Sequence, residues 1–324
     1  MFGVACRLVG LREPRHATKL PCPLPFDLNR QVLIKLERER DDWWITLKAD
    51  GQRAWLFAHK GQAVLISRTL KISSIGFPPG MHPDKTTLLD GEVFETPLSL
   101  FVAFDCLLFN DQRVFDHPFR SRFLWLASLN WPSLETVAGE EKKVEEQMQF
   151  AIKPTWSLER LAQCFDPRTG QLCGLHFASL SISCDGIVFM DGCASYFARA
   201  QGNRIEAASM LKWKPVPTVD LAIFPEAQHL GHEDGCPEAQ HVEYEGYCTG
   251  FKSPWIKCGK VTDAVVAAAE KILIVECHWK KPGEWKAVRI RKDKHLPNHE
   301  KVVQDTIEVV QQNITATDLL ALNQ

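Results

Sequence analysis

Trp43-Trp44-Ile45-Thr46-Leu47-Lys48-Ala49-Asp50-Gly51-Gln52-Arg53 is the stretch from which the rest of the chain is best read. An apolar run rich in β-formers leads into Lys48, and a second, Ala54-Trp55-Leu56-Phe57-Ala58, follows Arg53. Aromatic and β-branched residues on both sides of an Asp-Gly pair predict strand, turn, strand. The pattern suits an ordinary hairpin carrying a surface lysine. It equally suits a lysine held at a strand end two residues from a carboxylate, a geometry for a nucleophilic amine. Residues downstream separate the two readings.

The chain has 324 residues, which predicts two domains rather than one. An apolar fraction of 45% with 24% charged residues is that of a soluble globular protein. No stretch approaches the ~20 apolar residues that span a bilayer, so no membrane association is expected. Residues 1–11 contain arginine and no small-residue cleavage pattern, so no signal peptide is expected and the protein is read as intracellular. The formal net charge of −2 gives no global attraction to nucleic acid; any such contact needs a local basic surface. Eleven cysteines are scattered without a C-x-x-C pair, several inside apolar runs, which predicts reduced core residues and no structural zinc.

Strand-like runs at 63–67, 87–95, 100–109, 186–190 and 210–213 alternate with turn signals. Helical periodicity covers 119–129, 140–149 and 158–165, the last with Ser157 as N-cap. This predicts an α+β domain built on antiparallel strands. Pro215 and Pro217 mark a break, and a polar stretch, 226–245, follows a strand at 219–224. Strands at 271–279 and 285–290 flank a Lys281-Pro282-Gly283 turn, which suits a small OB-type β-barrel with a basic rim. Residues 300–312 and 317–322 read as helical, with Val302, Val303, Ile307 and Val310 on one face. The expected division is 1–218 and 219–302, with a helix at 303–324 packing back on the first domain.

Four further motifs follow Lys48 in order. They are Leu88-Leu89-Asp90-Gly91-Glu92-Val93, Phe101-Val102-Ala103-Phe104-Asp105, Asp185-Gly186-Ile187-Val188-Phe189 and Leu211-Lys212-Trp213-Lys214-Pro215. In the last, two lysines at period 2 share one strand face. In this order the set resembles the covalent nucleotidyltransferase superfamily of ATP-dependent polynucleotide ligases and mRNA capping enzymes. Arg289-Ile290-Arg291-Lys292-Asp293-Lys294-His295-Leu296-Pro297-Asn298 resembles the capping-enzyme form of the final motif, R-x-D-K-x-x-P-N. Lys153, in Ala151-Ile152-Lys153-Pro154, is similar to a capping-enzyme lysine that contacts guanine. Pro21-Cys22-Pro23-Leu24-Pro25-Phe26-Asp27 departs from the F-P-G-type lead-in of the family and leaves the N-terminal elements open.

The resemblance implies an ATP-grasp-like ligase/capping nucleotidyltransferase domain, an OB-fold barrel and a terminal helix. It implies an mRNA guanylyltransferase with Lys48 as nucleophile, moving GMP from GTP onto the 5′-diphosphate end of RNA. A lysine amine, with a reference pKa of about 10.4, is mostly protonated near neutrality. A nucleophilic lysine therefore needs neighbouring cations, here Lys212, Lys214 and a bound Mg2+ or Mn2+. Asp50 opposes this and is assigned to orientation or metal contact. By the same resemblance Glu92 accepts from ribose hydroxyls, Phe104 stacks on the purine, and Lys153 donates to guanine O6 or N7. Arg53 and Arg68 are candidates for sugar or phosphate, Lys212 and Lys214 for the α-phosphate, and Asp185 for the divalent cation. Phe101, out of phase with Phe104, is assigned to the core. On the barrel, Arg291, Asp293 and Lys294 are expected at the β- and γ-phosphates when that domain closes, with Asp220 a further candidate.

Two other readings compete. An ATP-dependent DNA or RNA ligase shares the superfamily but usually lacks the Pro297-Asn298 ending. A non-catalytic RNA- or polymerase-binding scaffold should have lost Lys48, Glu92 or Lys212, and all are present. An RNA triphosphatase, a cap methyltransferase and transcribing RNA polymerase are expected as separate partners, in the nucleus or a viral replication compartment.

Overall fold

The computed structural model of the chain describes residues 1–10, 19–95, 99–135, 148–177, 180–197, 208–224, 243–251, 253–262 and 272–323. It divides into two compact units, Met1–Lys214 with Ala316–Gln324, and Pro215–Thr315.

The strands of the first unit begin with β1 (Phe26–Asp27), β2 (Trp43–Ala49), β3 (Gln52–His59) and β4 (Gln62–Ser67). Then come β5 (Ile72–Ile75), β6 (Thr87–Phe94), β7 (Leu100–Phe109) and β8 (Gln112–Arg113). It continues with β9 (Gln149–Ile152), β10 (Trp156–Ser157), β11 (Leu175–Phe177), β12 (Leu180–Ile182), β13 (Cys184–Asp191) and β14 (Met210–Trp213). A seven-stranded sheet runs β5-β4-β3-β6-β7-β8, with β9 added parallel to β7. A five-stranded sheet runs β1-β14-β13-β2-β10, and β11 with β12 forms a small ribbon.

The central strands of the larger sheet are mostly apolar and buried because both faces are covered, with Asp90 and Glu92 on β6 and Asp105 on β7 set among the apolar residues. On one face Leu56, Leu89 and Phe101 pack with Leu126 of helix α3, numbered after α1 (Phe2–Leu8) and α2 (Arg30–Arg38) and spanning Phe119–Ala127. On the other, Trp55, Phe57, Leu88 and Leu107 pack against Ala5 of α1. Successive residues of β3 thus serve opposite cores, as period-2 geometry requires.

Several expectations change. Strands β2 and β3 both form, yet Asp50-Gly51 closes no hairpin: β2 belongs to the smaller sheet and β3 to the larger. Gly51 is instead required by close approach, since a Cβ there would lie 2.6 Å from the Phe94 ring and 2.9 Å from Glu92 Cβ. The helix expected at 140–149 falls largely outside the described residues, and Gln149 opens β9. Residues Leu158–Cys164 form a 3-10 rather than an α-helix, and Ser157 occupies the N-cap position without a side-chain bond.

The second unit is a closed barrel ordered β15-β16-β17-β19-β18, the OB-type architecture expected. Its strands are β15 (Thr218–Ile223), β16 (Tyr244–Cys248), β17 (Ile256–Thr262), β18 (Leu273–Lys281) and β19 (Glu284–Ile290). Trp285 fills its core with Val219, Leu221, Val261 and Val275. Helix α4 (Glu300–Gln312) packs Val303 and Ile307 on this core, so the first part of the tail belongs to the barrel. Only from Ala316 does the chain rejoin the first unit, where α5 (Ala316–Leu320) buries Leu319 and the following turn buries Leu322.

Candidate active site

Lys48 lies near the end of β2, opposite Gly186 of antiparallel β13. The register shifts between Cys184 and Gly186, and such a bulge re-aims the side chain it carries. That side chain is Asp185. Its Oδ1 accepts from Lys48 Nζ at 2.7 Å, and its Oδ2 meets Lys214 Nζ at 2.7 Å. One carboxylate thus spans two ammonium groups contributed by β2 and the end of β14. The glycine after it is obligatory, because a Cβ on Gly186 would lie 2.1 Å from the Trp213 carbonyl oxygen. Burial pushes the Asp185 carboxyl up, but Lys48 and Lys214 together outweigh it and hold it below the usual carboxylate range.

Along β14, Leu211 and Trp213 are buried while Lys212 and Lys214 are partly exposed, so the lysines share one face. Their partners differ. Lys212 Nζ sits 3.3 Å from Asp27 of β1, whose backbone runs parallel to β14 in register Asp27↔Lys212.

A second group projects from the larger sheet. Glu92 on β6 accepts from Lys153 Nζ at 3.0 Å, and the Lys153 side chain is only 3% exposed. Lys153 is fixed by its backbone N–H, which donates to Ala103 O at 2.8 Å beyond the end of β9. Phe104 lies on the same β7 segment, and Lys153 Nζ is 5.6 Å from its ring centroid. The Arg53 guanidinium stands 5.3 Å from that centroid, so the ring carries two cation–π contacts. Phe101, out of phase, packs in the core, where a Cβ on Gly91 would meet its ring at 2.5 Å. Burial pushes the thiol of Cys184, the residue before Asp185, up to about 12, with Lys153 drawing it down and Glu92 adding to the rise.

Arg53 is committed inside the protein. Its Nε and Nη2 bind Asp90 at 3.1 and 2.5 Å, and Nη1 donates to Pro23 O at 2.6 Å. Tyr196 hydroxyl donates to the same Asp90 carboxylate, and burial with Asp90 pushes that phenol well up. Arg53 is therefore a strut that ties the lead-in segment to β6, rather than an open sugar or phosphate donor. Arg68 is exposed just past β4, its backbone N–H bonded to Arg53 O at 3.1 Å. Asp50 is exposed, and its backbone N–H reaches Ser183 O at 3.3 Å, beside the Asp185 strand.

On the barrel, Arg291 grips Asp293 through Nε at 3.0 Å and Nη2 at 2.8 Å, and Asp220 through Nη1 at 3.1 Å. Lys294 binds the other Asp220 oxygen, and Asn298 Oδ1 accepts from the Asp220 N–H at 2.6 Å. Asp220 is thus a buried anchor for the two cations of its own unit. Glu276 stands behind it, 3.6 Å from Arg291 and hydrogen-bonded to Arg289 and Thr218. The Arg291 hydrogen bonds lower Asp293 to about 2.

Sequence reasoning missed Asp90, Asp27, Tyr196, Cys184 and Glu276. Asp90 stood within the D-G-E run, but a register shift between Asp90 and Gly91 hides its inward turn. The other four carried no local signal. Among the described residues no group of three or more His, Cys, Asp or Glu could hold a metal. Asp185 offers a single carboxylate, the donor set of a cation that brings its own phosphate oxygens.

The family model "mRNA capping enzyme, catalytic domain" matches residues 4–216, and "mRNA capping enzyme, C-terminal domain" matches 214–320. A curated mRNA-capping enzyme of Caenorhabditis elegans is 24% identical over 318 residues, covering 91% of this chain and 47% of that protein. The chain spans about half the length of the curated relative it matches. Among solved structures, a mycobacterial DNA ligase D complexed with ATP and MES is 16% identical with a TM-score of 0.42, over 78% of this chain and 90% of that one. The ligase domain of M. tuberculosis LigD, also 16% identical, has a TM-score of 0.36 over 78% and 90%. No helix among the described residues is long and apolar enough to cross a membrane.

Proposed function

Because the chain belongs to the mRNA capping enzyme family through both its catalytic and its C-terminal domain, we propose that it is an mRNA guanylyltransferase. The observation that carries this is Lys48, held 2.7 Å from a carboxylate that also binds Lys214, in a unit that carries the Phe104, Glu92 and Lys153 group.

In the first step the Lys48 amine attacks the α-phosphorus of GTP. The N–P bond forms, the bond to pyrophosphate breaks, and the nitrogen sheds its proton. In the second, a terminal oxygen of an RNA 5′-diphosphate displaces the lysine and forms the cap linkage. Asp185 fixes the direction of the amine, which counts because misplacement by about 1 Å costs on the order of 10²-fold in rate. Lys212 and Lys214 meet the α-phosphate as the neighbouring cations that a nucleophilic lysine needs. Glu92 accepts from the ribose diol, Phe104 stacks on the purine and Lys153 donates to guanine O6 or N7; nucleotide binding exchanges the Glu92–Lys153 pair for these contacts. Arg68 is a further phosphate contact. Mg2+ or Mn2+ carried in on the triphosphate would be held by Asp185 and supplies neutralisation of phosphate charge.

Incubation with α-labelled GTP or ATP and Mg2+ or Mn2+, followed by denaturing electrophoresis, tests the reading. The expected result is label from GTP that survives denaturation and is lost in Lys48→Ala. Labelling by ATP alone, or no label with either nucleotide, sinks it. A separate RNA triphosphatase to supply the 5′-diphosphate end and a cap methyltransferase to act on the product are the partners this reading proposes, with transcribing RNA polymerase a further candidate.

A further inference from the structure

Lys153, Pro154 and Thr155 are the whole crossover between the two sheets of the first unit, since β9 ends at Ile152 and β10 begins at Trp156. This short bridge is tied from both sides. From the larger sheet, Ala103 O on β7 accepts from the Lys153 N–H at 2.8 Å. From the smaller sheet, Thr46 Oγ1 on β2 donates to Pro154 O at 2.8 Å. Between them, Thr155 Oγ1 donates to Lys153 O at 3.2 Å. Pro154 adds its own constraint, because a residue that precedes proline is held to extended backbone.

Thr46 is 3% exposed and stands two residues before Lys48, so the two side chains leave the same face of β2. A hydroxyl this deep needs a partner and the buried Pro154 carbonyl needs a donor; each satisfies the other. The bond therefore sets the backbone that carries Lys153 in fixed register with the strand that carries Lys48. Its effect is greatest once a nucleotide is bound. With Glu92 engaged by the ribose, the Lys153 ammonium loses the carboxylate that holds it at 3.0 Å, and its aim then depends on its backbone.

We propose that Thr46 is a positioning residue for base selection: its hydroxyl is spent on Pro154 O, and through that bond it aims Lys153 at the guanine acceptors. This rests on the reading that Lys153 contacts guanine. Where guanine offers O6 as an acceptor, adenine carries an amino donor. A lysine held in place therefore favours GTP over ATP, and a lysine free to shift does so less.

Thr46→Val keeps the shape, deletes the donor and leaves Pro154 O buried without a partner, whereas Thr46→Ser keeps the donor. Calorimetric titration of GTP and ATP reports base preference without chemistry, and single-turnover labelling with each nucleotide reports it through the reaction. Thr46→Val is expected to lower the GTP-over-ATP preference roughly tenfold, mostly through weaker GTP binding, with ATP binding and any residual labelling by ATP little changed. Thr46→Ser should restore the preference, and Thr46→Val should add nothing in a Lys153→Met background. Thermal melting accompanies each variant, and Thr46→Ala repeats the comparison with a smaller side chain should the valine variant not fold. An unchanged preference in folded Thr46→Val overturns the assignment, as does an equal loss with both nucleotides, the mark of a purely structural bond. A parent protein that binds GTP and ATP alike overturns it too, together with the Lys153 reading. If the parent prefers GTP but forms no protein–GMP, guanylyl transfer fails by itself and the titrations still decide the role of Thr46.

Discussion

At Asp185 a single carboxylate serves two ammonium groups, so substitution there can separate charge from shape. Asp185→Asn keeps the volume and removes the charge that orients Lys48 and holds Lys214. The single-turnover rate of protein–GMP formation should fall roughly hundredfold, the scale of a misaimed nucleophile, with the fold retained by circular dichroism. Glu92 differs, because its partner Lys153 is nearly inaccessible to water. Glu92→Ala leaves that ammonium buried without its carboxylate and should cost about 3 kcal/mol in urea unfolding. A Glu92→Ala/Lys153→Met pair should recover most of that stability while remaining inactive. If the double variant is no more stable than the single one, the Glu92–Lys153 pair is not what the single variant breaks.

At the scale of elements, Gly186 decides whether β13 can lie against β14. Gly186→Ala drives a methyl group into the Trp213 carbonyl, which is backbone and cannot swing aside. Loss of at least 1–3 kcal/mol (roughly, as for overpacking) and of labelling is expected, measured by thermal melting and the GTP assay. The barrel strands carry an acid-sensitive feature. Asp293 is lowered to about 2 by Arg291, and Glu276 is also lowered, burial opposing but outweighed by Thr218, Arg289 and Arg291. A depressed carboxyl stabilises the fold above its unfolded pKa, about 4, and loses that effect as pH falls through its folded value. The stability gap between parent and Asp293→Asn should thus be full at pH 5 and gone near pH 2, read by urea unfolding across that range.

Strand positions were legible because alternating or continuous apolar runs survive in any partner arrangement. Partner choice was not. The runs around Lys48 and Trp55 are both strands, but Asp50-Gly51, which reads as hairpin chemistry, carries the chain from one sheet to the other. Helix α2 escaped notice since only Val32 and Leu36 are buried among its charged residues. In the site, residue types and order were readable from the motifs, whereas pairings such as Arg53–Asp90 and Lys212–Asp27 join segments far apart in sequence.

At the scale of the molecule, the first unit is completed by the last residues of the chain. Arg30 binds Asp318 at 2.7 Å, Arg40 donates to Leu322 O at 3.0 Å, and Leu319 and Leu322 are buried. Truncation after Thr315 removes two buried leucines, worth roughly 3–6 kcal/mol together. The first unit should melt earlier and lose labelling, while the barrel, with its own core, keeps its transition. A truncated chain that labels and melts like the parent would contradict this.

The barrel is thus an insertion, left at Lys214 and closed at Ala316, not a bead on a string. A protease cut anywhere within it should yield two fragments that run separately under denaturing conditions yet travel together in native gel filtration. Each fragment keeps one anchor in the first unit, so the nicked protein behaves as a non-covalent heterodimer until that unit itself unfolds.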